Sequence, residues 1–436
     1  MHRRIFAIAV PAIVANIVVP LLGLLDLAIA GHIGATAMIG AVAVGATMFN
    51  LTYWNFGFLR MGTSGMTAQA FGRNDRMDCA SLFVRSSIVA TAIGMAIVVL
   101  QVPLRELLLW AIEPSSNVRV LVVRYFGICV WGAPALLATM SISGWFVGMQ
   151  NSVYQMIVSI SVNVTNIIAS LLLVFVFDAG FVGIAVGTLI AQWVGALLEF
   201  ALAVRLARRH GLPQFRVSRD SFAGMGRFFK INTHIFLRSL CMMAVMLFFT
   251  SAGARSGDTV LAVNALIMQL FVVYSYFMDG IAYAGEALCG RYYGEGNRGM
   301  LRASVRGLFV WGAVVMCLFS AVYALAGGAL TRLLTTDATV VAAFSDYRMW
   351  AGAIPIAGMA AFVWDGVFIG LTATRQMLVS LAFSSAMFFA AYFGIVACVS
   401  TDIGSANNVL WLAFVVYLAS RGIAQTVLYR RIIGCR

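Results

Sequence analysis

Twelve apolar runs of roughly twenty residues follow one another along almost the whole chain, and no other feature restricts the possible fold so tightly. A run of that length crosses about 30 Å of hydrocarbon as a helix. The approximate spans are 5–30, 37–60, 80–102, 118–141, 153–177, 181–204, 229–252, 259–283, 303–325, 345–370, 376–399 and 408–429. Backbone amides in lipid must be satisfied within the protein, so only helices and closed barrels cross. A barrel would show segments of about ten alternating residues, whereas these runs are continuous. Composition agrees, since 62% of the 436 residues are hydrophobic and 10% charged, against about 25% charged in soluble domains. The expected fold class is all-α, integral to the membrane, with twelve transmembrane helices.

A formal charge of +13 raises nucleic acid as a partner, and the placement of the cations argues against it. With an even number of spans both termini lie on one side. That side collects twenty of the 29 basic residues, among them Arg3, Arg4, Arg73, Arg76, Arg85, seven from Arg205 to Lys230, Arg430, Arg431 and Arg436. The opposite side carries six, and Arg60, Arg238 and Arg421 fall within or at the ends of spans. The asymmetry puts both termini in the cytoplasm. Basicity is thus a topology signal, and no nucleic-acid partner is expected.

MHRRIFAIAV opens like a signal peptide, but its apolar run is about twice a typical signal core and lacks a cleavage site. It is read as the first span. Seven cysteines with no C-x-x-C pair and four scattered histidines offer no metal-site spacing. No metal or other cofactor is expected. The triplets NLT at 50 and NVT at 163 lie inside predicted spans and are read as chance.

A shift of 222 positions lays GWFVGM at 144 over GVFIGL at 366, and pairs Gly31 with Gly253, Phe49 with Phe271, Gly72 with Gly294 and Tyr125 with Tyr347. With a one-residue gap at Tyr154, QMIVSI at 155 lies over QMLVSL at 376. Six helices separate the copies, so the halves insert in the same orientation, related by a pseudo-two-fold axis along the membrane normal. The expected organisation is a first lobe over 1–204, a cytoplasmic linker over 205–228 and a second lobe over 229–436. A cleft between two rocking lobes is a transporter's geometry. An intramembrane enzyme is the competing class, and no nucleophile elbow, P-loop or metalloprotease signature appears. Without a P-loop the chain does not hydrolyse ATP, and an ion gradient is the energy source left.

Charges inside spans are costly and mark cavities or partners. Glu199 lies about a turn and a half from Arg205 and is read as a snorkelling or paired interface residue. Glu286 sits near the end of its helix beside Arg291, either as a structural lock between loop and helix or as part of a second-lobe site. Asp26 differs, having no basic residue nearby in sequence and Phe248 as its repeat counterpart. Desolvation disfavours the charged form of a carboxylate, so Asp26 is positioned to be a proton or cation site. Pro11 and Pro20 on the same helix each remove a backbone donor and can bend it. Asn163, Asn166 and Ser170 share one face of helix 5, and Thr188 and Gln192 one face of helix 6. They either bond between helices or complete the site around Asp26. Asp279 and Asp365 have no acidic counterparts in the first lobe, where Gly57 and Ser143 stand. The acids are distributed asymmetrically over a symmetric frame.

VPLLGLLDLAIAGHIG at 19–34, FGFLRMGTSGMTAQAFGR at 56–73, LAVNALIMQLFVVYSYFMDGIAYAGEAL at 261–288 and WDGVFIGLTATRQM at 364–377 resemble the DinF branch of the multidrug and toxic compound extrusion (MATE) transporters. The resemblance covers nearly the whole chain. It implies two pseudo-symmetric six-helix lobes and a secondary antiporter exchanging protons or sodium for organic, often cationic, compounds. The family's helix 1 aspartate matches Asp26, the proline whose bend is linked to protonation matches Pro11, and the helix 5 asparagine and helix 6 threonine match Asn166 and Thr188. Some members carry a second aspartate where this chain has Ser170, a departure that weakens a two-carboxylate cation site and puts first-lobe sodium binding in doubt. Other branches place an aspartate earlier on helix 10, where this chain reads PIAGMAAF, so their sodium site is not carried over.

The expected function is proton-coupled export of cationic amphipathic compounds, with Asp26, Asn166, Thr188 and Ser170 as the coupling group, Pro11 as the bend, and Asp279, Asp365 and Glu286 holding substrate or a second proton. The alternatives are a sodium-coupled exporter, an organic-acid exporter, and a flippase of lipid-like metabolites. The expected partners are small molecules and the lipid bilayer, the functional unit a monomer, and the location a bacterial inner membrane.

Overall fold

The computed structural model describes residues 1–33, 36–217, 222, 224–398 and 403–434, and all of its regular structure is helical. The first half holds α1 (His2–Ile33), α2 (Thr36–Tyr53), α3 (Phe58–Gly72), α4 (Arg76–Val99), α5 (Gln101–Ile112), α6 (Ser116–Cys129), α7 (Ala133–Gly148), α8 (Ser152–Leu171) and α9 (Gly180–Arg209). The second half holds α10 (Met225–Ala254), α11 (Asp258–Gly294), α12 (Arg298–Leu334), α13 (Ala338–Gly370), α14 (Thr374–Cys398) and α15 (Ile403–Gly434). Eleven helical segments among the described residues are long and apolar enough to cross a membrane. The 32-residue α1 precedes them as the first of the twelve spans.

The internal repeat is written into the helix boundaries. A shift of 222 residues carries the ends of α2 and α3 onto those of α11, α4 and α5 onto α12, and α6 and α7 onto α13. Three long helices of the second half therefore correspond to broken pairs in the first. Pro103 lacks the amide that would bond back to Val99, and the helix breaks at Leu100 before restarting as α5. Pro134 does the same to Val130, where a 3-10 turn over Val130–Gly132 precedes α7. Leucine occupies the matching position 325 and α12 runs on unbroken, whereas α13 stays continuous through Pro355, so proline alone does not set the break before α7. The span expected over 118–141 is thus a broken helix reaching Gly148, and α5 was not anticipated as an element.

Packing repeats as well. A Cβ added to Gly144 would lie 2.2 Å from the carbonyl oxygen of Arg60, and one added to Gly366 would lie 2.2 Å from that of Ala282. These glycines, 222 residues apart, let α7 touch α3 and α13 touch α11 backbone to backbone. The caps follow suit. The side chain of Asp75 accepts from the Asp78 amide at the start of α4, and that of Asn297 from the Met300 amide at the start of α12.

The chain resolves into two compact units, one of Val10–Phe229 and one of Met1–Ala9 with Lys230–Arg436. Helix α1 is therefore divided just before Pro11. Its first nine residues are tied to the second half: Arg4 donates to the Tyr292 hydroxyl, the Trp311 indole donates to His2 Nδ1 at 2.8 Å, and Phe6 meets the Trp311 ring edge-on at 4.4 Å between centroids.

Candidate functional site

Helix α8 shows why polar side chains collect in the first unit. Asn163, Asn166 and Ser170 recur at helical spacing on its buried face, while Ile157, Ile160, Val164 and Ile168 are exposed on the opposite one. In a membrane the exposed face must be apolar, and polar groups are tolerated where protein shields them. Helix α9 contributes Thr188 and α1 contributes Asp26, which is 2% exposed.

These side chains form a hydrogen-bonded chain. Asn166 Nδ2 donates to Thr188 Oγ1 at 3.1 Å, and Thr188 Oγ1 donates to Asp26 Oδ2 at 3.1 Å. The carbonyl of Ile184 lies at the same 3.1 Å from Thr188 Oγ1. A hydroxyl carries one hydrogen, so Thr188 serves either the carboxylate or its own helix. Asp26 Oδ1, Asn166 Oδ1 and Ser170 Oγ are buried and have no hydrogen-bond partner. Ser170 packs against Gly187, one residue from Thr188. Asn163 turns instead to the Ser159 carbonyl of its own helix, 3.0 Å away. Two residues of α6 not read from the sequence as site residues complete the surroundings. The Tyr125 hydroxyl is directed at Cys129 and Thr188, within the field of Asp26.

In the second unit the acids have other company. Arg238 and Arg421 both donate to Asp365 Oδ2, and Gln425 Nε2 donates to Oδ1 at 2.8 Å. The arginine side chains are each 5% exposed. Asp279, half-buried on α11, acts electrostatically on Arg238. Glu286 is buried on α11 where α13 crosses it, a Cβ at Gly370 falling 2.8 Å from its carbonyl oxygen. At Phe248, the repeat counterpart of Asp26, an aromatic cluster with Phe388, Phe389, Tyr392 and Phe393 replaces polar chemistry.

One expectation is overturned. Glu199 neither snorkels nor pairs with Arg205. It is fully buried, and its Oε1 accepts from Ser143 Oγ of α7 at 2.7 Å. Its position on α9 turns it toward α7 rather than toward the helix end, which spacing to an arginine alone does not reveal. The arginines on Asp365 were also missed as site residues. The available signal is that both are cations embedded within or at the ends of spans.

The MatE family profile matches residues 11–172 and 233–396. "DNA damage-inducible protein F" of Escherichia coli (strain K12) is 32% identical over 98% of this chain and 92% of its own length. "Probable multidrug resistance protein NorM" of Rhizobium meliloti (strain 1021) is 25% identical over 96% of this chain and 91% of its own. Among solved structures, a MATE protein in the bent conformation superposes with a TM-score of 0.88 at 18% identity, covering 99% of this chain and 95% of that one. Its straight conformation gives 0.86 at 18% identity, with 100% and 96% covered. The chain belongs to the MATE family of multi-pass membrane transporters.

Proposed function

We propose that this protein is a proton-coupled antiporter that exports cationic amphipathic compounds from the bacterial cytoplasm, with both termini cytoplasmic and Asp26 as the site shared by proton and substrate. The observation that carries the reading is a buried carboxylate with no ion-pair partner among the described residues, held by Thr188 and Asn166, with the Thr188 hydroxyl having two possible acceptors. With Asp26 ionised, Thr188 donates to it, Asn166 supports Thr188, and the uncompensated charge attracts a cation. With Asp26 protonated, its own O–H donates to Thr188 Oγ1, and the Thr188 hydrogen is released to the Ile184 carbonyl. The charge that would hold a cationic substrate is then gone. A ligand shifts a conformational equilibrium only through its differential affinity for the two states, and this mutual exclusion supplies one.

Pro11 is the element that would convert protonation into shape. It stands where α1 passes from one compact unit to the other, and the related MATE protein is described in bent and straight conformations. In the second unit Asp365 is read as an ion-pair strut rather than a free acceptor, because Arg238, Arg421 and Gln425 already fill its oxygens. Asp279 and Glu286 are the other acids of that unit proposed to meet substrate or a second proton.

Sodium coupling is the second reading, favoured by three partnerless buried oxygens, Asp26 Oδ1, Asn166 Oδ1 and Ser170 Oγ, a hard donor set of the kind small cations prefer. The test is proton counter-movement in reconstituted vesicles. Adding a cationic dye to vesicles acidified inside should collapse the pH gradient in sodium-free buffer. Collapse that requires sodium would replace the proton by sodium in this account. Movement of citrate in place of the dye would favour an organic-acid exporter.

A further inference from the structure

Glu199 is the buried titratable group that the scheme above leaves unused. It has no exposure, its Oε1 is taken by Ser143, and its Oε2 has no partner. The groups acting on it are Ser143 and Thr139 of α7, and among the described residues no charged side chain of α4, α6, α7, α8 or α9 joins them. An isolated ionised carboxylate in such a place is far too costly, so the group that fits is the neutral acid, which bears a proton.

Its position on α9 is equally specific. Thr188, Gln192 and Glu199 are four and then seven residues apart, within about 40° of one another around the helix, with Glu199 about 16 Å along the axis from Thr188. Gln192 Oε1, buried and without a partner, fills the space over Gly132. The facing wall runs through Tyr125, Cys129, Gly132, Thr139 and Ser143. The stripe starts beside Asp26 and leads toward the end of α9 that carries Arg205, Arg208 and Arg209.

We propose that Glu199 is a second proton-binding carboxylate of the first unit, through which protons taken up at Asp26 leave toward the arginine-bearing end of α9. The inference rests on the reading of Asp26 as the proton site. Water is the carrier between the two. Glu199, holding its proton at rest, first gives it to water at the far end, and water carrying the proton released from an Asp26 oxygen then reprotonates it, so each step conserves charge and Glu199 is ionised only in passing.

The test compares native protein with Glu199→Gln, Glu199→Asp and Asp26→Asn in proteoliposomes, using ethidium as probe, and adds pH-jump infrared difference spectra in nanodiscs. Glu199→Gln should slow proton-driven ethidium efflux at least tenfold, leave ethidium self-exchange at equal pH within twofold of native, and be relieved by Glu199→Asp. In the infrared a protonated-carboxyl band should vanish in Glu199→Gln and shift in Glu199→Asp, whether or not ethidium is carried. Unchanged bands overturn the proposal. So does native proton-driven efflux in Glu199→Gln, or loss of self-exchange in step with net efflux, which marks a structural residue. Asp26→Asn with native proton-driven efflux would instead remove the underlying reading of Asp26, and the relay with it.

Discussion

At the residue scale, the chain uses its few embedded charges in two ways. Asp26 and Glu199 are carboxylates held by hydroxyls, with no salt bridge among the described residues, whereas Asp365 is clamped by two guanidiniums. The distinction predicts opposite outcomes on neutralisation. Asp365→Asn leaves Arg238 and Arg421 buried without their main counter-charge and should cost about 3–5 kcal/mol of stability, read as a large drop in melting temperature. Adding Arg421→Gln should restore part of it, and a native melting temperature in Asp365→Asn would contradict the clamp. Asp26→Asn should melt close to native, because it removes no ion pair. Gly144→Ala and Gly366→Ala should each destabilise by about 1–3 kcal/mol, since a methyl at either site meets a backbone oxygen that cannot move alone.

At the element scale, helix ends show how local chemistry repeats across the halves. Asn297→Ala should cost α12 about 1 kcal/mol, while Asn297→Asp should be nearly neutral, because Asp75 caps the matching helix α4 in the same manner. Equal melting of both variants would contradict the cap. His210, exposed just past the end of α9, is pushed below its ordinary value by partial desolvation, with the Arg76 guanidinium adding to the shift. Its neutral form is the one the fold favours. Its contribution to stability is therefore complete above about pH 6.5 and lost as pH falls through the lower folded value. His210→Asn should flatten that part of the stability curve between about pH 7 and pH 5; an unchanged curve would contradict the assignment.

Much of this was legible in the residues. Twelve spans, the 222-residue repeat and the grouping of Asp26 with Asn166 and Thr188 followed from hydropathy, landmark spacing and resemblance. The break at Leu100 was legible in principle from Pro103, but continuous hydropathy hid it, and the one at Val130 could not be told from proline alone, since α13 runs unbroken through Pro355. What one-dimensional spacing does not carry is which helix faces meet. Arg238 and Arg421 lie 127 and 56 residues from Asp365 and find it only through packing. Glu199, similarly, was matched to a nearby arginine when its partner Ser143 stands 56 residues away.

At the scale of the whole molecule, a symmetric frame carries asymmetric chemistry. Each half builds its helix crossings on the same glycines, yet the position that holds Asp26 in one holds Phe248 and its ring cluster in the other. Tags on the two termini should both be open to protease in inside-out vesicles and both protected in intact cells, and protection of either in inside-out vesicles would contradict the assigned topology. The central claim is that one buried carboxylate couples proton entry to substrate exit. Its most direct test is cationic dye efflux from proteoliposomes under an imposed pH gradient without sodium, comparing native protein with Asp26→Asn at matched protein content and melting temperature. The account predicts gradient-driven efflux in the native protein and its loss in the variant. Efflux persisting unchanged in Asp26→Asn would contradict it and move the coupling site to the acids of the second unit.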